Sequence, residues 1–151
     1  MIHTINDDLF NTSCRYIAHQ VNCQGVMGSG VAYQVKQKFP NVYKEYLYLI
    51  GKHKKEPRKL LGVSQICSLE NNKNIINMYA QYNYGANGRF TDYEAFYKCI
   101  EMINHALTSK DSIAMPYMIG CGRGGADWGI IKFMLEKVFA NRDVYLYRHS
   151  I

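Results

Sequence analysis

Tyr16-Ile17-Ala18-His19-Gln20-Val21-Asn22-Cys23-Gln24-Gly25-Val26-Met27-Gly28-Ser29-Gly30-Val31-Ala32 reads as an apolar strand, a glycine-rich turn and the start of a helix. Such a turn presents bare backbone N–H groups at a helix N-terminus, where the aligned peptide dipoles favour an anion. The spacing of Gly25, Gly28 and Gly30 is neither the dinucleotide fingerprint nor a Walker loop, so this stretch alone is equally a tight strand-to-helix connection.

The same unit recurs. Ile113-Ala114-Met115-Pro116 leads into Ile119-Gly120-Cys121-Gly122-Arg123-Gly124-Gly125-Ala126-Asp127-Trp128 and another helical pattern. Four glycines between Gly120 and Gly125 cost conformational entropy that a plain connection need not incur. Two strand, glycine loop, helix units could clasp a diphosphate between them. A third loop, Gln81 to Phe90, carries tyrosines and amides that suit either sugar and base recognition or routine packing.

Working outward, apolar and β-branched runs predict strands at Ile2–Ile5, Tyr16–Val21, Leu60–Leu69, Asn74–Gln81, Ser112–Met115 and Asp143–Tyr147. Helical patterns lie between them. Val31–Phe39 and Val42–Ile50 are separated by Pro40, and Thr91-Asp92-Tyr93-Glu94 forms a capping box ahead of an amphipathic run through Leu107. Asp127 reads as the N-cap of a last helix with Ile130, Ile131, Met134, Leu135 and Val138 on its apolar stripe. Strands alternating with helices predict an α/β sheet covered on both faces, with residues 1–151 as one domain.

At 151 residues and 48% hydrophobic content, the chain can bury one core. No apolar run is long enough for a membrane helix and the N-terminus lacks a signal-peptide pattern, so a cytoplasmic protein without membrane attachment is expected. The scattered Cys14, Cys23, Cys67, Cys99 and Cys121 read as reduced thiols, and neither they nor the five histidines show metal-ligand spacing. No metal or cofactor is expected. The net charge of +6 favours anionic partners. Its main concentration, Lys52 to Lys59 with Lys36 and Lys38 nearby, reads as a solvated face or as attraction for a polyphosphate or nucleic acid.

The string from His19 to Ala32, with Ile119-Gly120-Cys121-Gly122 and Asp127-Trp128, resembles the macro domain family, most nearly its ADP-ribose 1''-phosphate processing branch and the related branch that removes ADP-ribose from carboxylates. The resemblance implies a three-layer α/β/α sandwich with a mixed sheet and a ligand cleft at the strand ends. It implies that Asp8 and the Leu9 backbone receive adenine, that Gly28, Ser29, Gly30 and Val31 hold one phosphate, and that Gly120, Cys121, Gly122, Arg123 and Gly124 cover the other. Asn22 would face the distal ribose. Each polar member also has a local reading: Asp8 as a turn or cap residue, Asn22 as a turn former, Asp127 as a helix cap. Tyr145 and Tyr147 share one strand face and either could stack on adenine or simply pack. His19, three positions from Asn22, should point to the opposite face of a regular strand and is read as structural.

For chemistry, Asn22 and Asp127 are the catalytic candidates, Asp127 being the one carboxylate within the second loop. The aspartate that one macro branch carries after its first glycine run is absent from Val31-Ala32-Tyr33-Gln34. The lysine of another is absent from Met78-Tyr79-Ala80-Gln81, as is its second-loop aspartate from Arg123-Gly124-Gly125. The expected ligand is ADP-ribose or ADP-ribose 1''-phosphate. The expected activity is hydrolysis at the distal ribose by a monomer, set against a non-catalytic ADP-ribose reader or an ADP-ribosyl hydrolase acting on modified protein or nucleic acid.

Overall fold

The computed structural model describes residues 1–149, so the end of the expected 1–151 unit lies outside the described residues. Its strands are β1 (Ile2–Ile5), β2 (Tyr16–Asn22), β3 (Ser64–Ser68), β4 (Asn74–Gln81), β5 (Ile113–Pro116) and β6 (Val144–Tyr147). Its helices are α1 (Gly30–Lys38), α2 (Pro40–Lys52), α3 (Tyr93–Ala106) and α4 (Trp128–Val138). The strands form one sheet in the order β1-β6-β5-β2-β4-β3. All pairs are parallel except β3 with β4, so the sheet is mixed.

Alternation along the central strands sends side chains into two cores. On β4, Ile76, Met78 and Ala80 pack with Phe96, Ile100 and Ile103 of α3 and with Ile131 and Leu135 of α4. Ile75 packs toward Val35 and Val42, and Tyr79 toward Tyr46, on the face covered by α1 and α2. Helices on both faces make the three-layer α/β/α sandwich. Among the described residues, no helix is long and apolar enough to cross a membrane.

Three local expectations change. The strand expected at Leu60–Leu69 contracts to Ser64–Ser68, because Pro57–Leu60 winds into a 3-10 turn that buries Leu60. Gly62 then adopts φ +93 before the chain enters β3. Pro40 opens α2 as its first residue, where its missing N–H costs nothing. The cap of α3 is Asp92, whose side chain accepts from the Ala95 N–H at 3.0 Å, so the expected box beginning at Thr91 is displaced by one residue. Glu94 instead pairs with Lys98 on the surface at 3.3 Å. Asp127 caps α4 as expected, accepting from Gly129 and Ile130.

The basic run lies outside the cleft described below. Arg58 sits over the Tyr82 ring at 4.1 Å, Lys52 over Tyr48 at 5.5 Å, and Lys59 pairs with Glu56 at 2.7 Å.

Candidate functional site

Parallel strands bring the ends of β2, β4 and β5 to one edge of the sheet, and the loops that follow them enclose a cleft of about 500 Å³. The first glycine loop, the second glycine loop and Tyr84-Gly85 of the third loop all reach it.

The first loop is built on Asn22 and Tyr46. Asn22 Oδ1 accepts from the Gln24 N–H at 2.9 Å and the Val26 N–H at 3.4 Å, while Nδ2 donates to the Val26 carbonyl at 2.7 Å. The Tyr46 hydroxyl, fully buried on α2, lies 2.8 Å from Asn22 O and 2.9 Å from Oδ1, and accepts from the Gly25 N–H at 3.1 Å. Asn22 therefore shapes the loop, and one hydrogen of its amide remains for a ligand. Beyond it, the first α1 bond runs from the Tyr33 N–H to Ser29 O at 3.2 Å, and Ser29 makes no side-chain cap. Among the described residues, the backbone N–H groups of Gly28 through Ala32 have no protein acceptors, and they stand at the positive end of the helix dipole.

In the second loop the Cys121 N–H turns inward to Met118 O at 2.9 Å. Gly122, Arg123 and Gly124 keep unpaired N–H groups and line the cleft. Burial, and secondarily the neighbouring Asp127 carboxylate, pushes the Cys121 thiol up to about 11, so it rests as the neutral thiol at pH 7.

Asp127 itself is exposed and does not line the cleft; its Oδ1 is engaged as the α4 cap at 2.7 Å from the Gly129 N–H. Asp8 caps the 3-10 turn Leu9–Asn11 through the Phe10 N–H at 2.9 Å, and Leu9 is buried beneath it. Neither lines the cleft. Tyr145 and Tyr147 also lie elsewhere, with Tyr145 stacked on His3 of β1 at 4.7 Å.

Asn22, rather than His19, departs from strict alternation. The register shifts between Val21 and Asn22, so His19 and Asn22 both reach the cleft wall. The His19 tautomer follows from a chain ending on a backbone carbonyl. Gln65 Nε2 donates to Glu45 O at 2.9 Å, so Gln65 Oε1 accepts from Asn77 Nδ2 at 3.1 Å and Asn77 Oδ1 faces His19 Nε2 at 2.6 Å. Nε2 carries the proton and Nδ1 is a buried acceptor without a partner.

Burial lowers the His19 pKa to about 4, only partly offset by the bond to Asn77. A depressed histidine binds fewer protons folded than unfolded, so stability is complete above pH 6.5 and is lost as pH falls toward 4. We expect urea unfolding to lose up to about 3 kcal/mol across that window, with His19→Gln flattening the profile. An equally steep profile in His19→Gln would refute this. Asp7 and Asp143, whose pKa values are lowered, act only below the ordinary aspartate value of 3.8.

Sequence reasoning does not single out Gln20, Tyr46 or Met118. Polar side chains inside an apolar strand are a usable signal for Gln20. Met118 has φ +57, a strained conformation for a non-glycine residue, and exposes its side chain in the cleft wall.

Residues 18–132 match the sequence profile described as the Macro domain. The chain belongs to the macro domain family. This macro domain is 28% identical over 143 residues to a DNA ADP-ribosyl glycohydrolase of Mycobacterium tuberculosis, covering 92% of the chain and 39% of the relative. It is 36% identical over 72 residues to an ADP-ribose 1''-phosphate phosphatase of Meyerozyma guilliermondii, covering 46% of the chain and 41% of the relative. The chain thus spans about two fifths of the length of these curated relatives. Among solved structures, the macrodomain of Mycobacterium tuberculosis DarG superposes with a TM-score of 0.80 at 25% identity, covering 99% of each chain.

Proposed function

We propose that this macro domain binds ADP-ribose, or a derivative of it, with the diphosphate across the two glycine loops, and that it hydrolyses the derivative at the distal ribose. The observation that carries the reading is the pair of unpaired N–H sets, Gly28 to Ala32 and Gly122 to Gly124, facing one cleft. Relatives named as hydrolases support turnover. Attack at the anomeric carbon needs an oriented water and stabilisation of a developing sugar cation, and a diphosphate fixed by both loops supplies orientation and a nearby negative charge. In this reading Asn22 offers its remaining amide hydrogen to the sugar, and the adenine end reaches past the cleft toward Asp8 and Leu9, which do not line it.

A second reading, recognition without turnover, is favoured by one observation. Among the described residues, those lining the cleft include no aspartate, glutamate or lysine, and β4 ends on Gln81. Calorimetry with ADP-ribose, followed by product analysis on ADP-ribose 1''-phosphate and on ADP-ribosylated protein and DNA, separates the two. Binding with release from one of these substrates is expected. Binding without release from any selects the reader, and no binding defeats both.

Asp127 enters as a cap rather than a base. Asparagine caps a helix as well as aspartate does but cannot act as a base at neutral pH. Asp127→Asn is therefore expected to bind and turn over like the parent, and Asp127→Ala to lose about 1 kcal/mol of stability. Loss of turnover in the asparagine variant at unchanged affinity would return Asp127 to the catalytic role.

A further inference from the structure

Thr91 stands one residue before Asp92, the cap of α3, and does not cap the helix itself. It is 2% exposed and lies under the second glycine loop. Its hydroxyl donates to Gly120 O at 2.8 Å, and its N–H and that of Phe90 both donate to Gly124 O, at 2.9 and 2.8 Å. Two carbonyls four residues apart are thus fastened from below, and the unpaired N–H groups of Gly122, Arg123 and Gly124 fall in the span ending at the second fastening.

The polarity of this fastening is fixed. Gln81 Nε2 donates to the Asn83 carbonyl at 2.8 Å, which turns Gln81 Oε1 toward Gln20 Nε2 at 2.7 Å. The other hydrogen of Gln20 Nε2 goes to Thr91 Oγ1 at 2.8 Å. Thr91 must therefore spend its own hydrogen on Gly120 O. Both ends of the chain stop on backbone carbonyls, which only accept. The arrangement leaves Gln20 Oε1 buried and without a partner, an uncompensated desolvation kept at the cleft wall. Glycine at 120 and 124 makes room for it, since a Cβ on Gly120 would lie 3.3 Å from Thr91 Oγ1 and one on Gly124 would overlap the same oxygen.

We propose that Thr91, locked by Gln20, is the positioning residue that holds the second glycine loop with its N–H groups open to the ligand. The proposal rests on the reading of the two loops as a diphosphate site. The test follows backbone amide resonances of isotope-labelled protein titrated with ADP. In the parent protein, ADP shifts Gly30 and Val31 of the first loop and Gly122 to Gly124 of the second. Thr91→Val is expected to lose the second set, keep the first and weaken ADP binding about tenfold. Thr91→Ser, which restores the hydroxyl, is expected to recover both. Retention of the second-loop shifts in Thr91→Val, or failure of Thr91→Ser to recover them, overturns the proposal. If Thr91→Val does not fold, Gln20→Met removes the lock together with the Gln81 contact while leaving the Thr91 hydroxyl in place, and unchanged second-loop shifts there also overturn it. Should ADP shift neither loop in the parent protein, the diphosphate reading fails first and the positioning role with it.

Discussion

Gly124→Ala will reduce ADP-ribose affinity at least about a hundredfold, because no methyl group fits between the second loop and its support. A Cβ at Gly124 would lie 2.5 Å from the Gly120 carbonyl oxygen and closer still to Thr91 Oγ1. Those two atoms are already bonded to each other at 2.8 Å, so neither yields without breaking the fastening. The loop must lift, carrying the Gly122, Arg123 and Gly124 donors out of register with the phosphate. Overpacking of this kind costs about 1–3 kcal/mol, so the thermal midpoint should fall as well. Calorimetry beside a melting curve is the measurement, and affinity within threefold of the parent protein would show that the second loop does not hold the ligand.

Gly30→Glu should lose as much affinity for the opposite reason. Nothing lies within 4 Å of the position its Cβ would take, so the side chain meets no obstruction, although φ +60 charges it about 1–2 kcal/mol of backbone strain. Its carboxylate stands at the N-terminus of α1, where the ligand's phosphate would otherwise sit, and substitutes for it. A folded protein with a modestly lowered melting midpoint and about a hundredfold weaker binding is expected. Unchanged ADP-ribose affinity would mean that the cleft itself is misassigned. The pair of variants separates steric from electrostatic failure at two ends of one site.

The two strand, glycine loop, helix units, the apolar stripe of α3 and the Asp127 cap are legible in the sequence, because local periodicity and chemistry encode them within a few residues. Features that depend on distant partners are not. Thr91 and Asp92 are both competent caps, and the choice between them is made by Gln20 and Gly120, which engage the Thr91 hydroxyl and leave Asp92 to accept from Ala95. Simple alternation puts His19 and Asn22 on opposite faces of β2, and the register shift between Val21 and Asn22 brings Asn22 round to the face of His19 and Tyr46. Tyr145 and Tyr147 are equal stacking candidates by position alone, but Tyr145 has His3 as its partner, set beside it across β1 and β6. Asn22 reads as a ligand-facing residue, yet most of its hydrogen-bonding capacity goes to its own loop and to Tyr46, 24 residues further along the chain.

The two glycine loops hang from opposite layers of the sandwich, the first from Tyr46 on α2 and the second from Thr91 at the entrance to α3. What lies between their roots is the sheet, for the first loop leaves β2 and the second leaves its neighbour β5. The separation of the two grips is thereby ruled by a single inter-strand step, about 4.8 Å in any sheet and nearly incompressible. If the proposed diphosphate reading holds, the cleft is a gauge as much as a pocket: it would measure how far apart two negative groups sit, and a lone phosphate would engage only one of its two grips.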